Sequence, residues 1–186
     1  MVDESRQANK AGVSAWKDYT HINVSSVGIE IVNPGYKDTP EGRVWYPFSQ
    51  AQIDKLIVLL KQIVARHGVK PENILGHSDV APQRKQDPGP MFPWKQLADA
   101  GLIVWPDAAK VAAAQPAYEA LLPEPAWFQQ KLALHGYAVP QTGELDGPTR
   151  TVVAAFQMKY RNTKFDGIPD AETAALLDVL TAGVKN

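Results

Sequence analysis

An α/β domain with a mixed β-sheet flanked by helices, followed by a small three-helix domain, is the fold this sequence predicts. Three observations carry that prediction. Val27, Ile29 and Ile31 alternate with Gly28, Glu30 and Val32, the period of a strand. Ile53, Leu56, Leu60, Ile63 and Val64 repeat on one face of a long helical stretch. A Pro- and Ala-rich run over 115–125 then separates these elements from a segment in which Asp-Gly pairs precede helical patterns.

The chain has 186 residues, enough for one main domain and a small second one. It is 45% hydrophobic and 21% charged, ordinary globular usage. The formal net charge of −1 provides no basic field for nucleic acid or an anionic membrane surface. No apolar run approaches the roughly 20 residues that would span a bilayer. There is no cysteine, so disulfides, thiolate ligands and a Cys nucleophile are excluded, and any zinc site must use His and carboxylates. The amino end, Met1-Val2-Asp3-Glu4, lacks a signal pattern and reads like the middle of a domain.

Residues 1–20 are polar around Ala11-Gly12-Val13-Ser14-Ala15-Trp16. In the strand expected at 27–32, Glu30 has two readings. It is either a carboxylate on a solvated sheet face or a cleft carboxylate with Gly28 leaving room for a ligand. Asn33-Pro34-Gly35-Tyr36 ends that strand, and 37–47 is expected to be a loop. A helix starts after Ser49, with Gln52 completing a capping box and Phe48 stapling onto Ile53, and it stops at Gly68. His67 sits in its last turn, where a cation favours the helix dipole.

Ile74-Leu75 reads as the end of a short buried strand that delivers Gly76-His77-Ser78-Asp79-Val80-Ala81-Pro82-Gln83-Arg84-Lys85-Gln86-Asp87-Pro88-Gly89. A short helix at 93–97, stopped by Gly101, follows. A helix over 108–114 leads into the linker at 115–125. The predicted domains are thus 1–114 and 126–186. In the second, Phe128 and Leu132 share a face of the first helix. Asp146-Gly147-Pro148 starts the second helix, striped by Val152, Val153, Phe156 and Tyr160. Asp170 caps the third, which packs Leu176, Leu177 and Leu180. This module holds no cluster of catalytic residue types and reads as a binding or docking domain.

The chemistry concentrates in the 76–89 stretch. A hydrolytic zinc ion takes three protein ligands plus water and lowers that water's pKa to about 7. His77 and Asp87 supply two donors, and Pro88 biases Asp87 toward an extended backbone. Lys85 can donate to a developing oxyanion. Glu30 can take the proton from a metal-bound water. Asp79 is a competing ligand, an acceptor that orients the imidazole, or a turn cap. Arg84 can pair with a carboxylate, at the surface or in the site. A nuclease or other phosphate enzyme finds no Gly-rich phosphate loop and no basic patch here.

Gly28-Ile29-Glu30, Gly76 through Pro90, Phe92-Pro93-Trp94 and Ala11 through Trp16 together resemble the type 2 N-acetylmuramoyl-L-alanine amidases, the AmpD/AmiD group of bacterial zinc enzymes, over about residues 1–110. That group shares its fold with peptidoglycan-recognition proteins. More loosely, 126–186 is similar to the three-helix peptidoglycan-binding module, through Asp146-Gly147, Ala155-Phe156-Gln157 and Asp166-Gly167. The resemblance implies His77 and Asp87 as Zn2+ ligands, Glu30 as general base, Lys85 as stabiliser of the tetrahedral intermediate, and Trp16, Asp79 and Arg84 as substrate-binding residues. It implies peptidoglycan or muropeptides as partners and a periplasmic or outer-membrane-associated location in a Gram-negative envelope, with the cytoplasm as the alternative. Two departures stand out. The family's first zinc-ligand His lies upstream of anything in this chain, and neither His21 nor His67 takes its position. The family often has Trp-His before Ala-Gly-Val-Ser, where this chain has Asn9-Lys10. A non-catalytic peptidoglycan-binding protein therefore stands beside the amidase as an alternative.

Overall fold

The computed structural model describes residues 3–184. In chain order its elements are α1 (Ile22–Ser25), a β-hairpin of β1 (Tyr36–Thr39) and β2 (Gly42–Trp45), α2 (Gln50–His67), a 3-10 turn at Pro71–Asn73, α3 (His77–Val80), α4 (Trp94–Asp99), α5 (Ala108–Ala120), α6 (Pro125–His135), α7 (Gly147–Tyr160) and α8 (Ala171–Thr181). The class is α/β, and the sheet among the described residues is the antiparallel β1–β2 pair, in register Tyr36 with Trp45 through Thr39 with Gly42.

Helix α2 forms as its sequence dictates. The Ser49 side chain accepts from the Gln52 N–H while the Gln52 side chain accepts from the Ser49 N–H. Gly68 ends the helix at φ 62°, a left-handed conformation suited to glycine, with its N–H returned to the Val64 carbonyl. Ile53, Leu56, Leu60 and Ile63 are buried against Phe92, Trp94, Leu97, Leu102 and Ile103. Helix α4, expected at 93–97, contributes Trp94 and Leu97 to that core.

Three expectations need correction. No strand forms over 27–32. The alternation holds only from Ile29 on, because Ile29 and Ile31 pack on the α2 core while Glu30 and Val32 face solvent, and Val27, expected on the same face as the isoleucines, is exposed. A strand needs a hydrogen-bonded neighbour, and no described residue pairs with this segment. Ile74-Leu75 likewise connects the 3-10 turn to α3 without sheet partners. The expected loop at 37–47 is instead the β-hairpin, turning on Pro40 and Glu41 and setting the Tyr36 and Trp45 rings edge to face at 5.0 Å.

The expected linker is also largely ordered helix. Helix α5 runs from Ala108 to Ala120, through Pro116. Its Asp107 cap accepts from the Ala109 and Lys110 N–H groups, and it lies along α8. Val111 and Tyr118 pack on the C-terminal core, and the Tyr118 ring lies 5.5 Å from Trp127. That packing outweighs the one backbone hydrogen bond an interior proline forfeits.

The C-terminal module forms as predicted. Asp146 caps α7 through Thr149, and Asp170 caps α8 through Thr173. Phe128, Leu132, Val152, Val153, Phe156 and Leu177 are sealed from solvent. The same core continues into the N-terminal unit, taking in Trp16, Val80 and Ala81. No described helix is long and apolar enough to cross a membrane.

Candidate active site

The His77–Asp87 loop is built by short-range bonds. The Ser78 N–H donates to the Asp87 carbonyl at 2.8 Å, which closes the loop on itself. Ala81 N–H returns to the His77 carbonyl, and Lys85 N–H to the Ala81 carbonyl. Gly76 is glycine because a Cβ there would stand 2.7 Å from Pro88 Cδ. Gly89, at φ 82°, lies under the Trp45 ring, so the hairpin covers the far end of the loop. Arg43 adds a hydrogen bond to Gln86.

This folding brings His77 and Asp87 together, with Nδ1 3.1 Å from Oδ2. The imidazole is one-fifth exposed and the carboxylate 61% exposed, so the pair opens to solvent on the Asp87 side. The other ring nitrogen, Nε2, lies 3.2 Å from the Ala11 carbonyl oxygen. Both nitrogens of one imidazole thus face oxygen acceptors. A neutral ring can donate from only one of them. With Nε2–H on Ala11, the Nδ1 lone pair points at the carboxylate, and a cation between the two relieves the repulsion. Two donors each about 2.0 Å from a tetrahedral zinc ion stand about 3.3 Å apart, close to the separation found. The pair therefore fits zinc in kind and spacing. Among the described residues no group of three or more His, Asp or Glu side chains could hold a metal, so they show no third donor beside the pair.

Glu30 and Lys85 make no hydrogen bond or ion pair to His77 or Asp87. Glu30 is exposed on its extended segment, and Lys85 is half-buried on the loop. The space expected beside Gly28 is filled, since a Cβ there would fall 2.0 Å from Cδ of Lys10, whose Nζ donates to the Asn23 carbonyl. Arg84 engages no carboxylate. Its guanidinium donates to the backbone carbonyls of Ala11 and Val13 and so clips the 11–13 segment to the loop.

Trp16 and Asp79 are corrected as substrate contacts, because neither is available to a substrate. Trp16 is 3% exposed, donates from its indole to the Glu72 carbonyl, and packs on His135, Tyr137 and Gly136 of the C-terminal module. Asp79 is 1% exposed. It accepts from Gly76 N–H, from Lys159 Nζ and from the Tyr137 hydroxyl. Of its three readings the turn cap is the one found, joined by an ion pair across the two units. Sequence reasoning missed Tyr137 and Lys159 altogether. The one available signal was a lysine within the apolar run of α7.

An α/β unit that presents a paired imidazole and carboxylate on a glycine-bounded loop, packed on a helical module, has the layout of a two-domain hydrolase. A family model described as N-acetylmuramoyl-L-alanine amidase matches residues 1–90, and one described as a peptidoglycan binding domain matches residues 122–177. The N-acetylmuramoyl-L-alanine amidase AmiD of Escherichia coli is 42% identical over 97% of this chain and 65% of its own length. The 1,6-anhydro-N-acetylmuramyl-L-alanine amidase AmpD of Enterobacter cloacae is 37% identical over 50% of this chain and 44% of its own. Among solved structures, AmiD from E. coli in complex with anhydro-N-acetylmuramic acid-L-Ala-D-gamma-Glu-L-Lys superposes with a TM-score of 0.90 at 41% identity, covering all of this chain and 73% of that one. AmpDh3 from Pseudomonas aeruginosa, in complex with anhydromuramic pentapeptide, gives 0.89 at 39% identity, covering 97% and 71%. The chain belongs to the N-acetylmuramoyl-L-alanine amidase family and carries a peptidoglycan-binding module at its C-terminal end. It spans just under two thirds of the first of these curated relatives and under half of the second.

Proposed function

We propose that this chain carries the loop half of a zinc-dependent N-acetylmuramoyl-L-alanine amidase. The reaction is hydrolysis of the amide between the lactyl group of N-acetylmuramic acid and the L-alanine of the stem peptide. The observation that carries this reading is the His77–Asp87 pair at 3.1 Å, with both imidazole nitrogens facing oxygens. His77 Nδ1 and Asp87 Oδ2 are two zinc ligands. A bound zinc ion would supply an acidified water and polarise the amide carbonyl. Ala11 fixes the His77 tautomer by accepting from Nε2, which leaves Nδ1 free to ligate. Glu30 serves as proton acceptor and Lys85 as donor to the developing oxyanion, neither forming an ion pair among the described residues.

Peptidoglycan or its muropeptides are the substrate class, supported by the matched family models and by the muropeptides named in the relatives' complexes. The intact polymer as substrate would put the working site in the bacterial envelope, on the periplasmic side, and released muropeptides would allow the cytoplasm as the alternative.

A zinc titration by calorimetry, with His77→Ala and Asp87→Ala in parallel, tests the ligand assignment. Zinc binding is expected to be weak in this chain, because two donors hold an ion less firmly than three, and to vanish in either variant. Unchanged binding in both would overturn the assignment. Release of stem peptide from a muropeptide, read by mass spectrometry, tests the reaction and is expected to be slow for the same reason.

A second reading, a peptidoglycan-binding protein that does not cut, is favoured by one observation: the described residues offer no three-donor cluster. Retention on insoluble peptidoglycan, with no stem peptide released even at saturating zinc, would decide for it.

A further inference from the structure

The buried carboxylate of Asp79 sits where the two units meet. Oδ2 accepts from Gly76 N–H at 2.8 Å, which fixes the Leu75–Gly76 peptide, one residue ahead of His77. The same oxygen accepts from Lys159 Nζ at 2.8 Å, and Oδ1 accepts from the Tyr137 hydroxyl at 2.6 Å. Lys159 lies on α7 and Tyr137 just beyond α6, so both partners come from the C-terminal module. All three side chains are at least nine-tenths buried, and the Lys159 ammonium lies 4.4 Å from the Trp94 ring centroid. A carboxylate held from three directions has little freedom to rotate. Its hold reaches the residue before His77 through one N–H, and the neighbouring Ser78 N–H separately ties the same turn to the carbonyl of Asp87.

We propose that Lys159 and Tyr137 are positioning residues for His77, acting through Asp79, so that the C-terminal module holds the ligand loop in its working shape. On this view the module is a structural wall of the site, whatever it also binds. The inference rests on the reading of His77 as a zinc ligand. Its geometry, however, is independent of the ion: without both contacts Asp79 can turn, Gly76 N–H loses a fixed acceptor, and the imidazole leaves the Ala11 carbonyl.

The test uses the whole chain with 15N-labelled histidine. Tyr137→Phe keeps the ring packing and removes only the hydroxyl bond. Lys159→Met removes the charge. Lys131→Met is the control, since Lys131 pairs with Asp178 and Thr181 inside the module and does not reach the loop. Tyr137→Phe and Lys159→Met are expected to move the His77 ring nitrogen resonances and to lower zinc affinity about tenfold, the usual cost of losing a partner that supports a metal ligand. Lys131→Met should leave both unchanged. Should Lys159→Met not fold, Tyr137→Phe decides alone. Folded Tyr137→Phe with native His77 resonances and native zinc affinity would overturn the proposal. If His77→Ala binds zinc like the parent chain, the ligand reading fails, and the ring resonances of Tyr137→Phe still decide the positioning role.

Discussion

The N-terminal unit and the C-terminal module hold their shapes by different means. In the module, two aspartate-capped helices and α6 enclose a core of fully buried residues, and α5 covers α8. The N-terminal unit has one long helix with a smaller core beneath it, a two-stranded hairpin, and an extended segment over 27–32 without sheet partners. Its His77–Asp87 loop is stiffened from outside, by Asp79 reaching into the module and by Val80 and Ala81 joining the module's core. The difference teaches that the 76–89 loop and the residues that anchor its Asp79 lie in different parts of the sequence.

The largest expected effect probes the module side. Phe156→Ala removes a ring with no solvent exposure, set among Tyr137, His135 and Tyr160, and should cost about 4 kcal/mol in denaturant unfolding. If only the module's spectroscopic signals shift, the two units are less coupled than the shared core implies. Next comes Lys159→Met, which leaves Asp79 buried and uncompensated and should cost about 3 kcal/mol. Adding Asp79→Asn should recover most of that loss. A double variant as unstable as the single one would mean that packing, and not the ion pair, joins the units.

A smaller effect follows from His135. Burial among aromatic rings, then the neighbouring Lys159 charge, depress its pKa from 6.5 to about 4. The unfolded chain therefore takes a proton between those values that the folded chain refuses. This contribution to stability is complete above pH 6.5 and is lost as the pH falls toward 4. Between pH 7.5 and 5 the loss should be about 2 kcal/mol, and His135→Phe should flatten that dependence. The smallest change, Ser49→Ala, removes the α2 cap and should cost about 1 kcal/mol, confined to the N-terminal unit. A loss spread over both units would show that α2 also supports the module.

What the sequence made legible was whatever neighbouring residues decide. The Ser49–Gln52 capping box, the α2 stripe, the Asp146 and Asp170 caps and the position of α4 all follow from residues within a few places of each other. The His77–Asp87 pairing was legible for the same reason, since ten residues of turn-rich chain return on themselves. The strand at 27–32 was not, because alternation reports which face is buried and not whether a partner strand is present. The hairpin at 36–45 escaped because its side chains are mostly exposed and leave no apolar pattern. Trp16 and Asp79 were misplaced as substrate contacts because their partners lie far along the chain. Tyr137 is 58 residues from Asp79 and Lys159 is 80.

The course of α5 bears on how this protein can be taken apart. A cut placed by composition in 115–120 would divide one continuous helix near Pro116 and disturb the cover over α8. It would also leave Trp16, Val80 and Ala81 as an apolar scar on one fragment and the surface around Gly136 as its counterpart on the other. A chimera joining this module to a different catalytic unit would have to bring α5 along and supply an indole to fill the hollow above Gly136, where a Cβ would stand 2.7 Å from the Trp16 ring. The chain passes from one unit to the other at Trp105, which packs on both cores, ahead of the run that composition marks as the hinge.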